Sequence, residues 1–384
     1  MCGILVVYGD INKVPRGVFY ECLERMKHRG PDDTSFFFDD AVMMGHNRLS
    51  IIDTSETARQ PMLSSSNKSI VAFNGEIYNY KDIRKKVEGL YRFRTHSDTE
   101  VILALYEVFG PDAFYMMEGM FALVIYDKVR KCLVVTRDLV GEKPLYIYSG
   151  ECLLVFSSEL KALVELLRKA INIPANKISI DAVYEFLLTG TISGGRTPFP
   201  FIQLFPPNTF AVYSLENGRI KKVKEKAIRD LKEISSWKCS EAVAVYRSAD
   251  LICRSSSLCM VADVPVVLFL SGGLDSATIL HTLVSEKGFK NLLTFSVIPS
   301  HPYFSEKDFI SYLVREYRTE HKWVELTPEA ISGLFEEYLL AMDFPTVDGF
   351  NTFIITRCLR DAGYKVGVSG AGGDELFYGY THLR

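Results

Sequence analysis

Apolar and polar positions change rhythm near the middle of the chain. Up to about residue 200 the apolar residues come in short runs broken by polar turns. Residues 70–73, 120–126, 132–137 and 153–157 each have the length and side-chain character of a strand, and 127–131 is a charged turn. Residues 101–108 and 159–169 repeat at helical spacing, with Ser97 or Asp98 placed to cap the first of these helices. Short strands with helices between them suit an antiparallel four-layer αββα sandwich. Further on, residues 264–270 form an almost unbroken apolar run, the pattern of a parallel strand buried on both faces. The run stops in a small turn, and helical spacing resumes over 277–284. Strand and helix then alternate: strands at 292–298, 323–326 and 366–369, helices at 305–317, 328–341 and 350–362. That alternation predicts a parallel sheet covered on both faces, with ligands at the carboxyl ends of its strands. Between the two rhythms the pattern weakens. Residues 191–200 are rich in turn formers, and 221–238 reads as a charged helical stretch. The fold class expected is α+β followed by α/β, with domains at 2–204 and 205–384.

Composition narrows the class. A chain of 384 residues holds two domains with their own cores, and 48% apolar with 24% charged residues is ordinary for a globular protein. A net charge of −3 offers no electrostatic footing for nucleic acid or an anionic membrane. The longest apolar run is too short to span a bilayer, and residues 4–8 lack the basic flank of a signal peptide, so a cytoplasmic protein is expected. The eight cysteines include no C-x-x-C pair, which argues against structural zinc, and most are read as small buried residues.

Candidate chemistry sits at both ends. The turn Ser271-Gly-Gly-Leu-Asp-Ser276 puts backbone N–H groups and a helix N-terminus behind a buried strand, a cradle for phosphate or pyrophosphate. No Lys follows the glycines, so it is not a P-loop. The hexapeptide resembles the pyrophosphate loop of ATP pyrophosphatases. At the start, Met-Cys-Gly allows removal of Met1, which leaves Cys2 with an α-amine of intrinsic pKa near 8 beside its own thiol. Nucleophile and base then reside in one residue. Four further segments accompany it: His28-Arg-Gly-Pro-Asp32, Gly45-His-Asn-Arg-Leu-Ser-Ile-Ile-Asp53, Asn74-Gly-Glu-Ile-Tyr-Asn79 and Arg94-Thr-His-Ser-Asp-Thr-Glu100.

Taken in order with Cys2, these segments resemble the class II glutamine amidotransferases, and specifically the asparagine synthetase B family; the likeness resumes in the back half. What it implies can be given residue by residue. Cys2 attacks the side-chain amide carbon of glutamine, while Asn74 and the Gly75 N–H form the oxyanion hole. Arg48 pairs with the α-carboxylate, Asp98 takes the α-ammonium, and Leu49, Ser50, Ile51, Ile52 and Glu76 line the same pocket. His28 and His46 are read as structural, and residues 137–146 and 156–161 as framework. In the back half Phe269 and Val297 contact adenine and ribose. Ser271, Gly272, Gly273, Ser276, Ser369 and Gly370 hold ATP, and Asp275 with Asp374 holds Mg²⁺ and pyrophosphate.

Three departures from the family pattern stand out. Ala371 occupies a position that carries Glu or Asp in relatives, Phe269 replaces the usual Leu, and relatives continue for well over a hundred residues beyond Arg384. Phe205-Pro-Pro-Asn208 also stands where Leu-Pro-Pro-Gly is usual, a change Asn tolerates because it accepts positive φ. The expected activity is a glutamine-dependent asparagine synthetase using glutamine, aspartate, ATP and Mg²⁺. Ammonia would pass through an apolar tunnel between the domains, and since relatives are often dimers a homodimer is one expected state. Two alternatives stay open: an amidotransferase acting on another carboxylate, and a glutaminase with a vestigial ATP domain.

Overall fold

The computed structural model describes residues 1–174, 176–230, 238–300 and 306–379. It divides into two compact units, Met1–Glu233 with Asp343–Thr346, and Ile234–Met342 with Val347–Arg384.

The first unit opens with β1 (Gly3–Gly9), α1 (Arg16–Arg25), β2 (Asp33–Asp39), β3 (Val42–Arg48), β4 (Met62–Leu63) and β5 (Ser69–Ile77). Then come α2 (Tyr80–Val87), α3 (Asp98–Phe109), β6 (Gly119–Asp127), β7 (Cys132–Arg137), β8 (Tyr146–Ser149) and β9 (Leu153–Ser157). It closes with α4 (Leu160–Ile171), α5 (Ile180–Thr189), β10 (Ile202–Leu204), β11 (Thr209–Glu216) and β12 (Arg219–Ala227). The strands make two six-stranded sheets, β10-β8-β9-β1-β3-β2 and β12-β11-β7-β6-β5-β4, antiparallel throughout.

The unbroken apolar start is explained by burial on both faces of β1. Ile4, Val6 and Tyr8 join Ala72, Val124 and Phe156 in the cluster between the sheets. Leu5 and Val7 turn the other way, onto Phe19 and Leu23 of α1 and Leu163 and Leu167 of α4. A residue alternation of period two thus feeds two cores at once. The second sheet is covered in turn by α3, whose residues 98–106 are all buried. The result is the expected αββα sandwich.

Two expectations change here. Residues 219–227 are strand β12, paired antiparallel with β11, instead of part of a charged helix. Asn217 and Gly218 both have positive φ (52° and 75°), the tight hairpin turn that Asn-Gly favours, and hairpin pairing overrides the helical propensity of the lysines. Residues 231–237 of that stretch lie outside the described residues. Because β11 hydrogen-bonds onto β7, the first unit extends to Glu233 rather than ending at residue 204. Asn208 has the positive φ (52°) its place required, and its amide also bonds Arg229 through both N–H and carbonyl oxygen.

The second unit contains α6 (Glu241–Leu258), β13 (Val266–Phe269), α7 (Leu274–His281), β14 (Leu293–Pro299) and α8 (Lys307–Tyr317). It continues with β15 (Glu320–Leu326), α9 (Pro328–Ala341), α10 (Gly349–Asp361), β16 (Val366–Val368) and α11 (Gly373–Phe377). The sheet is parallel, in the order β15-β14-β13-β16. Leu268 packs with Leu280, Ile310 and Leu313 on one face, while Val267 meets Phe295 and Leu359 on the other. Helices therefore cover both faces, as the apolar run required. No helix among the described residues is long and apolar enough to cross a membrane.

Candidate active site

The chain reaches its first candidate site at the second residue. Cys2 immediately precedes β1 and is 8% exposed. Its backbone N–H donates to Asn74 Oδ1 at 2.9 Å, so the nitrogen that becomes the α-amine once Met1 is gone is already held in place. Asn74 itself is fully buried, and its Nδ2 has no acceptor among the described residues. A buried amide donor left unpaired is costly in a folded protein. It is accounted for if a substrate oxygen arrives there. Arg29 Nε donates to the Cys2 carbonyl at 2.9 Å and fixes the backbone from the other side.

The thiol is pushed up by burial, against the lowering charges of Arg29 and Arg48. It lies 3.8 Å from Leu49 O and receives the Leu49 N–H at 3.5 Å. Such a thiol needs a base to become a nucleophile. Burial also pushes the Met1 amine down to about 6.

Gly75 follows Asn74 in β5 at φ 153°, in a region that suits glycine, and a side chain there would collide with the Met120 carbonyl. The irregularity sits next to Asn74 and Glu76, whose side chains belong to the site. Leu49, Ser50, Ile51 and Ile52 leave the end of β3 as a loop pinned by Asp32 Oδ2, which accepts the Ser50 N–H at 2.8 Å. Arg48, 6% exposed, donates from Nη1 to Ser55 O at 2.8 Å and from Nη2 to Asp53 O. Backbone carbonyls satisfy its donors without cancelling its charge, which suits it to a substrate carboxylate.

Opposite in sign are Glu76 and Asp98, each 4% exposed. Burial raises Glu76 to about 7, with the Asp98 charge adding to the effect. Burial likewise raises Asp98 to about 6, even though the Ile77 N–H donates to its Oδ2 at 3.0 Å. Two buried carboxyls raised together form a place where an ammonium group is welcome. Ser97 is the N-cap of α3, accepting the Thr99 N–H at 3.1 Å, so Asp98 is the first helical residue and points its acid into the site as well as complementing the helix dipole.

The sequence reading overlooked three contributors. Arg29, Glu159 and Lys143 surround the Cys2 end of the site. His28 Nε2 lies 2.6 Å from Glu159 Oε1, and Arg29 Nη1 lies 3.4 Å from the same oxygen. Burial raises Glu159, but the His28 hydrogen bond and the Arg29 charge outweigh it and hold the acid below its ordinary value. Glu159 thus anchors the arginine that holds Cys2. Lys143 is 6% exposed and its charge pulls Glu76 down, so residues 137–146 are not framework alone. Arg137 is framework, donating to the carbonyls of Lys143, Phe205 and Gly141. His46 is structural too: it donates to Phe73 O at 2.9 Å, and burial lowers it to about 4. Nothing local marks Arg29, Glu159 or Lys143, because each acts across more than 25 residues of chain or through its charge alone.

In the second unit the Gly-rich turn connects β13 to α7 at the carboxyl end of the parallel sheet. Ser276 Oγ accepts the Ser271 N–H at 3.2 Å and donates toward Ser271 O and Gly273 O, both at 3.1 Å, which closes the turn. The segment after β16 comes against it: a side chain at Gly370 or Gly373 would collide with Asp275. Ser271, Gly272, Gly273, Asp275, Ser276, Ser369 and Gly370 therefore share one end of the sheet. Phe269 and Val297 pack together with Phe295 and Leu359 on the α10 face. Asp374 follows Gly373, but its carboxylate lies against Gly379. No group of three or more His, Cys, Asp and Glu side chains able to hold a metal occurs among the described residues. Asp275 and Asp374 each stand in the first turn of a helix, α7 and α11.

Comparison with known proteins agrees with this layout. A glutamine amidotransferase domain family matches residues 1–224, and an asparagine synthase family matches residues 247–384. A putative glutamine-hydrolysing asparagine synthetase of Methanocaldococcus jannaschii is 32% identical, over the whole of this chain and 76% of its own. The chain belongs to the glutamine-hydrolysing asparagine synthetase family. Members from Bacillus subtilis and Zea mays are 30% and 28% identical over the whole chain. This chain spans 60% and 61% of the lengths of those two asparagine synthetases. The boundary between the two matched families, residues 224–247, brackets the limit of the first unit at Glu233.

Proposed function

We propose that the chain is a glutamine-dependent asparagine synthetase. The observation that carries the reading is Asn74, which holds the Cys2 nitrogen with one end of its amide and leaves a buried, unpaired donor at the other. Arg48 takes the α-carboxylate of glutamine, and Asp98 with Glu76 takes its α-ammonium. The loop residues Leu49, Ser50, Ile51 and Ile52 line the pocket. The Cys2 amine removes the thiol proton as sulfur attacks the amide carbon. The oxygen of the tetrahedral intermediate turns to Asn74 Nδ2 and the Gly75 N–H. Collapse breaks the C–N bond, the amine returns its proton to the leaving nitrogen, and ammonia departs. Water then cleaves the thioester to glutamate and restores the thiol.

In the second unit the turn from Ser271 to Ser276 holds the phosphates of ATP. Ser369 and Gly370 border the nucleotide, with Phe269 and Val297 at its adenosine end. The β-carboxylate of aspartate attacks the α-phosphorus and expels pyrophosphate, giving β-aspartyl-AMP. Ammonia then displaces AMP and asparagine forms. Asp275 and Asp374 would hold Mg²⁺, which would supply positive charge against the phosphates. The family resemblance extends the proposal to a cytoplasmic homodimer, which light scattering of the purified protein checks.

The test is to follow glutamate and pyrophosphate together in the purified chain, with aspartate present and absent. Aspartate-dependent pyrophosphate release is expected, and Asn74→Ala is expected to lower the rate of glutamate formation about 10²–10³-fold. Glutamate without pyrophosphate would limit the activity to glutamine hydrolysis.

A further inference from the structure

The backbone N–H groups of Ser271, Gly272 and Gly273 each have an acceptor, and one acceptor stands apart. The Ser271 N–H is taken by Ser276 Oγ and the Gly273 N–H by Ser271 Oγ, both within the turn. The Gly272 N–H donates instead to Glu306 Oε2, at 2.7 Å, across 34 residues of chain. This carboxylate is seated closely. A methyl group on Gly272 would lie 2.9 Å from Glu306 Cδ, so the absence of a side chain at 272 is what lets the acid approach. Glu306 also starts α8, where its carbonyl accepts the Ile310 N–H at 3.1 Å. A charge-assisted N–H···O⁻ bond is stronger than a neutral one. A negative group therefore already occupies the donor that a phosphate oxygen would seek.

We propose that Glu306 is an internal anion that holds this turn until the phosphate chain of a nucleotide displaces it. The inference rests on reading the turn as a pyrophosphate cradle. Glu306 and a phosphate oxygen compete for the one Gly272 N–H, and two anions brought that close repel each other. Nucleotide binds only the fraction of molecules in which Glu306 has left, so its apparent affinity is lowered by that fraction.

The experiment measures binding of inorganic pyrophosphate and of ATP to the full chain by calorimetry, comparing the parent with Glu306→Ala and Glu306→Gln. Glu306→Ala is expected to bind both about tenfold more tightly. Glu306→Gln keeps the shape and an acceptor but loses the charge, and is expected to fall between the other two. Circular dichroism of each variant reports whether α8 survives, and the glutamine variant keeps the test open if the alanine variant is unfolded. Unchanged or weaker binding in a folded variant would overturn the proposal; weaker binding would make Glu306 a group that helps to hold the phosphates. If the parent and both variants bind neither probe, the cradle reading fails and the proposal falls with it.

Discussion

At the scale of single residues, the proposed glutamine pocket is built from charges that the fold would discard if stability were its only concern. Glu76 is raised from the usual 4.5 to about 7, chiefly by burial and then by Asp98. The protonated form is favoured in the fold. The destabilisation is therefore absent below pH 4, grows as pH rises through the intervening range, and is complete above 7 at roughly 3 kcal/mol. Glu76→Gln is expected to raise the melting temperature at pH 8 and leave it unchanged at pH 4. The same substitution removes a carboxylate that an ammonium group needs. In the parent, kcat/KM for glutamine is expected to fall as pH drops below 7, and more steeply below 6 where Asp98 also protonates. A pH profile of glutamate formation that keeps its upper inflection in Glu76→Gln would remove Glu76 from that role. Cys2, Arg48, Asn74 and Asp98 could be named from the chain because they stand in the motifs that carry the family resemblance. Arg29, Glu159 and Lys143 could not be, because their part is to hold or bias another group. Only the folded chain brings Arg29 Nε to the Cys2 carbonyl.

At the scale of elements, a helix cap and a strand irregularity do the positioning. Ser97 caps α3 and thereby sets the direction of Asp98, the next residue. Ser97→Ala is expected to cost about 1 kcal/mol of stability. If the cap also aims Asp98, the KM for glutamine rises while kcat stays near that of the parent; a pure loss of stability would leave both constants unchanged at low temperature. On the other strand Gly75 adopts a conformation beside the Met120 carbonyl that other residues cannot reach without collision. It lets β5 carry Asn74 and Glu76 into the site without leaving its sheet. The cap was visible beforehand as a Ser before an apolar helix. The β12 strand was not, because its lysines and glutamates resemble a charged helix until the Asn217-Gly218 turn is weighed against them. Local propensity pointed one way and hairpin geometry the other, and pairing with β11 decided it.

At the scale of the whole molecule, two compact units carry two kinds of sheet, and the change of apolar rhythm announced both. Alternating residues of β1 fill separate cores in the antiparallel unit, while β13, within the continuous run ending at Leu270, is buried between helices in the parallel one. Their limit at Glu233 was harder to read, since the last strands of the first unit follow a stretch of turns and weak pattern. Each unit presents its own set of reactive groups, and none of the groups proposed for glutamine hydrolysis comes from the parallel sheet. The two half-reactions are therefore expected to be separable by substitution. Cys2→Ala removes the nucleophile, so glutamate formation should vanish while ammonium salts still support aspartate-dependent pyrophosphate release. Asp275→Asn keeps the shape that packs against Gly370 and Gly373 but removes the carboxylate charge proposed to act beside the phosphates. It should suppress pyrophosphate release by at least tenfold and leave glutamate formation from glutamine at the parental rate. Loss of glutamate formation in Asp275→Asn would show that glutamine chemistry depends on an intact nucleotide site, and the hydrolysis and ligation steps would then have to be treated as one coupled machine.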